Sequence, residues 1–147
     1  MIFCRTQIGP EVFAFISKDG DYTGGSPPSA EQTAFYDQNG FYITAADYVL
    51  RPEVLESNFY AWRVTGDVKY LDRAASAIKS FQEYLSVKNA DGTVDGYAGI
   101  DDVNNKMSSR IDDTESFWFA EVLKYLYVQQ SSFIDDVEIK WADTVGT

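Results

Sequence analysis

The chain has 147 residues and a formal charge of −11, with 23 acidic against 12 basic side chains; that surplus of anions repels a phosphate backbone and excludes nucleic acid as a partner. Apolar residues make up 45% and aromatics 16%, which argues for a folded core over disorder, and one folded unit over 1–147 is expected. Histidine is absent, so histidine triads and histidine metal sites are ruled out, and any chemistry falls to carboxylates, lysine, tyrosine or a bound ion. The single cysteine, Cys4, cannot form an internal disulfide. No apolar run approaches the roughly 18 residues of a membrane helix, and no leader pattern opens the chain.

Residues 1–28 show no steady period. Ile8-Gly9-Pro10-Glu11 has turn chemistry, and 19–28, rich in glycine and proline, is punctuation between elements. Ser29 followed by Gln32 makes a capping box, and Gly40 closes the short helix over 29–39 that it opens. Phe41-Tyr42-Ile43-Thr44 is then extended chain able to present Tyr42 or Thr44 to a pocket.

A stronger frame follows at 51–65. Pro52 suits a first helical turn and Gly66 the position just past the end, so a helix of about four turns is predicted. Leu55, Phe59 and Trp62 fall on an apolar stripe, while Glu53, Glu56, Ser57, Tyr60 and Arg63 recur on a polar side. Glu53 and Glu56 thus share a face one turn apart. That face is either solvated, because acidic first-turn residues complement the helix dipole, or it lines a cavity. In a cavity, paired carboxylates do acid–base work or hold ordered water and a hard cation.

Asp67 can cap a second helix running to about 84, packed on the first as an αα-hairpin. Residues 86–112, rich in Gly, Asp and Asn, read as a long loop of the kind that carries function. Asp113 or Thr114 can cap a third helix through Val128 that is apolar nearly all round, as a buried helix should be. Glu121 is its anomaly. Among Trp118, Val122 and Tyr125, that carboxylate must either pair with Arg51 or Arg63 or sit in a polar cavity, with Phe117 one turn before it on the same side. Residues 131–147 carry only a weak pattern.

Several blocks now stand in order. They are Ile8-Gly9-Pro10-Glu11, Gly40-Phe41-Tyr42-Ile43, Leu50-Arg51-Pro52-Glu53 with Glu56-Ser57, Trp62 to Asp67, and Glu115-Ser116-Phe117 with Glu121 and Leu123 to Leu126. Together they resemble the carboxy-terminal part of class I α-1,2-mannosidases, glycoside hydrolase family 47, over about 6–128, with 1–5 and 131–147 outside the match. The resemblance implies an all-α fold, an incomplete part of an (α/α) barrel built as a seven-hairpin toroid, and hence a single partial catalytic domain. It implies calcium as cofactor, inverting hydrolysis of terminal α-1,2-linked mannose on high-mannose N-glycans, and the secretory pathway. Glu53 matches the catalytic base. Arg51, Phe117, Glu56 and Glu121 match substrate-binding residues, and Glu53, Glu56 and Glu121 match carboxylates that reach calcium through water, none of them a direct ligand. Glu11 matches a block with no role attached.

The family's general acid belongs to hairpins before the matched part. Its calcium-binding threonine belongs to an Asn-Thr-Glu-Ala-His-Pro segment that 131–147 lack. The chain is therefore expected to be a fragment inactive alone, with self-association through helix faces that lack neighbours. The alternative is a non-catalytic helical module that binds glycan or glycoprotein, which binding without turnover would mark.

Overall fold

The structure, a computed structural model, describes residues 5–23 and 26–129. Strands β1 (Val12–Ile16), β2 (Tyr22–Thr23) and β3 (Tyr42–Ala45) form an antiparallel sheet in the order β2-β1-β3. Their β-branched and aromatic residues suit a pleated surface. Phe13 pairs with Ile43 and Ala14 with Tyr42 across one edge of β1, and Ile16 with Tyr22 across the other. Between β2 and β3 lies α1 (Ala30–Asn39), opened by the expected capping box. The Gln32 N–H donates to Ser29 Oγ at 3.3 Å, and the Ser29 N–H donates to Gln32 Oε1 at 2.9 Å. Gln32 also donates its Nε2 to the Ile43 carbonyl at 2.6 Å, so the cap is tied to β3.

Helix α2 (Glu53–Thr65) begins just after Pro52 and ends at Gly66, which takes a left-handed φ of 68°. Leu55 is its buried residue and Phe59 packs on the core, as the stripe requires. The Lys69 N–H donates to Asp67 Oδ1 at 3.0 Å at the start of α3 (Lys69–Ser80). That helix packs on α2 and runs on into a π-helical turn, Phe81–Leu85.

The helices bear out the all-α expectation only in part, because two sheets accompany them among the described residues. The second lies where a long loop was expected over 86–112: β4 (Ser86–Lys88) pairs antiparallel with β5 (Val94–Tyr97). Asp91 Oδ1 accepts the Thr93 N–H at 2.9 Å and its hydroxyl at 2.6 Å, and Gly92 takes a φ of 85°. These side-chain bonds turn a loop-like composition into a tight hairpin turn.

The last described helix, α4, covers 116–129 and contains a π-helical turn, Trp118–Val122. Among the described residues neither Asp113 nor Thr114 accepts a first-turn N–H of α4; the Thr114 hydroxyl instead donates to the Tyr97 carbonyl at 2.9 Å. Nor is α4 buried all round. Trp118, Val122 and Tyr125 enter the core, whereas Phe119, Leu123 and Tyr127 are exposed and Glu121 is open to solvent. The apolar outer residues made an ordinary one-sided helix look enclosed. The weak pattern over 131–147 lies outside the described residues.

The core joins Tyr48, Leu50 and Leu55 to Phe81, Ile100 and Trp118. Tyr48 and Ile100 exchange N–H···O bonds at 2.9 and 3.0 Å. Gly99 stands at the closest approach: a Cβ there would lie 2.6 Å from the Tyr48 carbonyl oxygen and 3.3 Å from Val49 Cα. The backbone cannot withdraw without breaking the Tyr48–Ile100 bridge. Gly99→Ala is therefore expected to cost about 1–3 kcal/mol, the usual range for overpacking. A lower urea midpoint would register the loss, and an unchanged midpoint would show that the two segments can part freely.

Candidate active site

Leu50 sets the geometry of the site. It is fully buried with a φ of 65°, a left-handed conformation that costs a non-glycine residue roughly 1–2 kcal/mol. Its neighbours hold it there. The Tyr48 hydroxyl donates to the Arg51 carbonyl at 3.0 Å, the Val49 N–H donates to Glu11 Oε1 at 2.8 Å, and Arg51 Nε donates to Glu11 Oε2. Leu50 thus enters the core while the Arg51 side chain next to it stays half exposed.

The Arg51 guanidinium carbon lies 5.7 Å from the Phe117 ring centroid, within the range of cation–π attraction. One terminal nitrogen is 3.9 Å from Glu53 Oε1. The hydrogen bond and charge of Glu11 raise the Arg51 pKa above its ordinary value, with smaller contributions from Glu53 and Glu115, so the guanidinium stays charged. Burial, and then the Glu11 and Glu53 carboxylates, push the Tyr48 hydroxyl far up, so it keeps the proton it donates.

Glu53 occupies the first turn of α2 with its side chain 62% exposed. It lines a cleft of about 470 Å³ together with Glu11, Arg51, Tyr48 and Phe13. Glu56, half-buried three residues on, accepts a 2.8 Å hydrogen bond from the Tyr125 hydroxyl of α4. That bond is the largest cause raising the Tyr125 pKa to about 12.

Of the five residues expected at the site, Arg51, Glu53 and Phe117 form one cluster, and Glu56 is held separately by Tyr125. Glu121 is not drawn in. Its side chain is exposed and, among the described residues, forms no ion pair with Arg51 or Arg63, whose guanidinium lies 5.4 Å from the Trp62 ring instead. Its expected enclosure fails because α4 leaves that face uncovered. Tyr42 is engaged elsewhere, donating its hydroxyl to the Ser26 carbonyl. Among the described residues no group of three or more His, Cys, Asp or Glu is placed to hold a metal ion. One oxygen of Glu56 is taken by Tyr125 and Glu121 faces solvent, so these carboxylates do not make a calcium site by themselves.

Three participants had no role in the sequence analysis. Glu11 stood in a turn block without a function, Glu115 sits near Arg51, and Tyr125 looked like core. The Pro10-Glu11 block was a visible signal for the first. No local spacing could pair Tyr125 with Glu56, 69 residues away.

A family model described as glycosyl hydrolase family 47 matches residues 3–145, and the chain belongs to that family. A mannosyl-oligosaccharide alpha-1,2-mannosidase 1B of Aspergillus phoenicis is 44% identical over 124 residues, 84% of this chain and 21% of the relative. A probable enzyme of the same name from Aspergillus clavatus is 40% identical over 137 residues, 92% of this chain and 24% of the relative. The solved alpha-1,2-mannosidase from Trichoderma reesei superposes with a TM-score of 0.72 at 44% identity, covering 86% of this chain and 24% of that one. The chain thus spans about a quarter or less of the length of the relatives it matches.

The Glu56–Tyr125 bond has a pH signature. The folded Tyr125 pKa of about 12 lies above its ordinary 10.0, so the bond contributes fully below pH 10 and is lost as pH rises through the folded value. Wild type is expected to lose stability relative to Tyr125→Phe across that window in parallel urea titrations. If the two pH curves run parallel instead, the bond contributes nothing.

Proposed function

We propose that the chain supplies the catalytic base and pocket floor of an inverting α-1,2-mannosidase. The observation that carries this is the Arg51 guanidinium held by Glu11 and set against Phe117, beside Glu53, in a family 47 chain. These groups suit a sugar: an aromatic face for its C–H surface, a charged planar donor for its hydroxyls, and an accessible carboxylate for water. Glu53 accepts a proton from the attacking water as the new C–O bond forms. A general acid protonates the departing glycosidic oxygen, and in inverting enzymes the two carboxyl groups stand about 6.5–9.5 Å apart.

In this proposal Arg51 and Phe117 contact the sugar and Glu56 holds the glycon and ordered water; Glu121, exposed on α4 and apart from the Arg51–Glu53–Phe117 cluster, is assigned the same role on the family match alone. Glu53, Glu56 and Glu121 would hold calcium only through its water shell, where the ion would help orient water and sugar hydroxyls, and no step above depends on it. High-mannose N-glycan as substrate and the secretory pathway as location belong to the same proposal. The relatives' mannosyl-oligosaccharide names support the substrate. Among the described residues, no helix is long and apolar enough to cross a membrane.

Glu53 has no residue matched to the acid in this chain, so the purified 147 residues are expected to release no mannose from Manα1-2Man. Release that disappears in Glu53→Gln would overturn the inactivity and keep the base. Binding of the disaccharide, measured by calorimetry, is expected to weaken roughly tenfold or more in Arg51→Ala, the loss of one charged hydrogen bond. A wild-type chain that binds no sugar would sink the proposed pocket. Phe13, Phe119 and Tyr127 expose apolar surface, so concentration-dependent oligomers are expected in sedimentation velocity; a monodisperse monomer counts against self-association.

A further inference from the structure

We infer that Glu11 is a positioning residue: its carboxylate clamps the bend at Leu50 and aims Arg51, leaving Glu53 free for chemistry. Only what Arg51 then binds rests on the proposed function; the clamp stands on geometry.

One carboxylate takes two donors that flank a strained residue. Oε1 accepts the Val49 N–H and Oε2 accepts Arg51 Nε, while Leu50 between them holds its left-handed φ of 65°. The Glu11 backbone is fixed to the same stretch, because its N–H donates to the Asp47 carbonyl at 2.8 Å. Exposed ion pairs contribute little, but the Glu11 side chain is only 9% exposed. Arg51 across the pair is half exposed, so the bond draws its strength from charge assistance, and the buried Glu11 end fixes where the guanidinium sits.

The choice of nitrogen matters. Glu11 engages Nε, which leaves both terminal nitrogens of Arg51 for the cleft. The carboxylates acting on Arg51 are Glu11, Glu53 and Glu115. Glu53 sits 3.9 Å away, at the outer limit of an ion pair. Without Glu11, Arg51 would close on Glu53 and tie up the proposed base. With Glu11 in place, the guanidinium stays against Phe117 and the Glu53 oxygens remain open to solvent.

The test uses the ¹⁵N-labelled 147-residue chain. The Arg51 Nε–H signal is assigned by its loss in Arg51→Lys, and its exchange with water is measured alongside Manα1-2Man affinity. Glu11→Gln keeps the size and one acceptor oxygen but removes the charge. It is expected to speed Nε–H exchange at least tenfold and to weaken disaccharide binding about as much, with amide shifts far from the site unchanged. Unchanged exchange in Glu11→Gln would overturn the clamp. Glu11→Asp keeps the charge but is one methylene short, and is expected to restore protection only in part; full restoration would show that charge alone suffices and would also overturn it. If exchange responds as expected while wild type binds no disaccharide, the clamp stands and the mannosidase proposal fails.

Discussion

Tyr48 and Ile100 exchange backbone hydrogen bonds on one flank of the segment leading into α2, while Glu11 takes the Val49 N–H and Arg51 Nε on the other. A leucine in the left-handed region persists only when its surroundings over-determine it, and here they do. The segment couples three parts of the fold that share little sequence proximity: the approach to β1, the stretch around Gly99, and the first turn of α2. Because Leu50 is turned into the core, Arg51 reaches Phe117 of α4 and Glu53 follows one step into the helix. Site geometry is therefore set by backbone conformation just before α2 begins.

What could be seen in advance was local. The Ser29–Gln32 box, the glycines ending α1 and α2, and the Asp67 side-chain bond to the Lys69 N–H, one residue outside the Val68 N-cap position, each depend on residues within one turn of each other, and each formed. The sheets were hidden for the opposite reason. β1 finds its register against β3, some thirty residues on, and β5 returns to β4 through a turn whose composition reads as loop. At the site, the shared first turn of α2 placed Glu53 and Glu56 near each other, and family motifs added Arg51 and Phe117. The Glu11 block was visible but its partners, 38 and 40 residues away, were not, and Tyr125 was silent because its partner lies 69 residues away. Glu121 stands apart from the cluster because apolar neighbours in sequence lie on the outer side of α4 and leave it exposed.

The charge distribution fits a neutral ligand. Arg51 is one cation among Glu11, Glu53 and Glu115, in a chain carrying −11. An anionic ligand would meet that field at a cost, whereas an uncharged sugar does not feel the net charge and can use each carboxylate as a hydrogen-bond acceptor. The acidity that repels a phosphate backbone is compatible with carbohydrate.

The π-helical turn Trp118–Val122 gives α4 a change of phase. Such turns carry one more residue than the α-helical ladder around them, and one residue corresponds to about 100° of rotation in an α-helix. Phe117, which meets Arg51, lies before the turn, while Tyr125 and Gln129, which meet Glu56 and the Leu55 carbonyl, lie after it. The extra residue brings both sets round towards one stretch of chain, residues 51–56. α4 therefore works as a shaft with a built-in offset: its length, counted in single residues, decides whether Phe117 and Tyr125 meet Arg51 and Glu56 together.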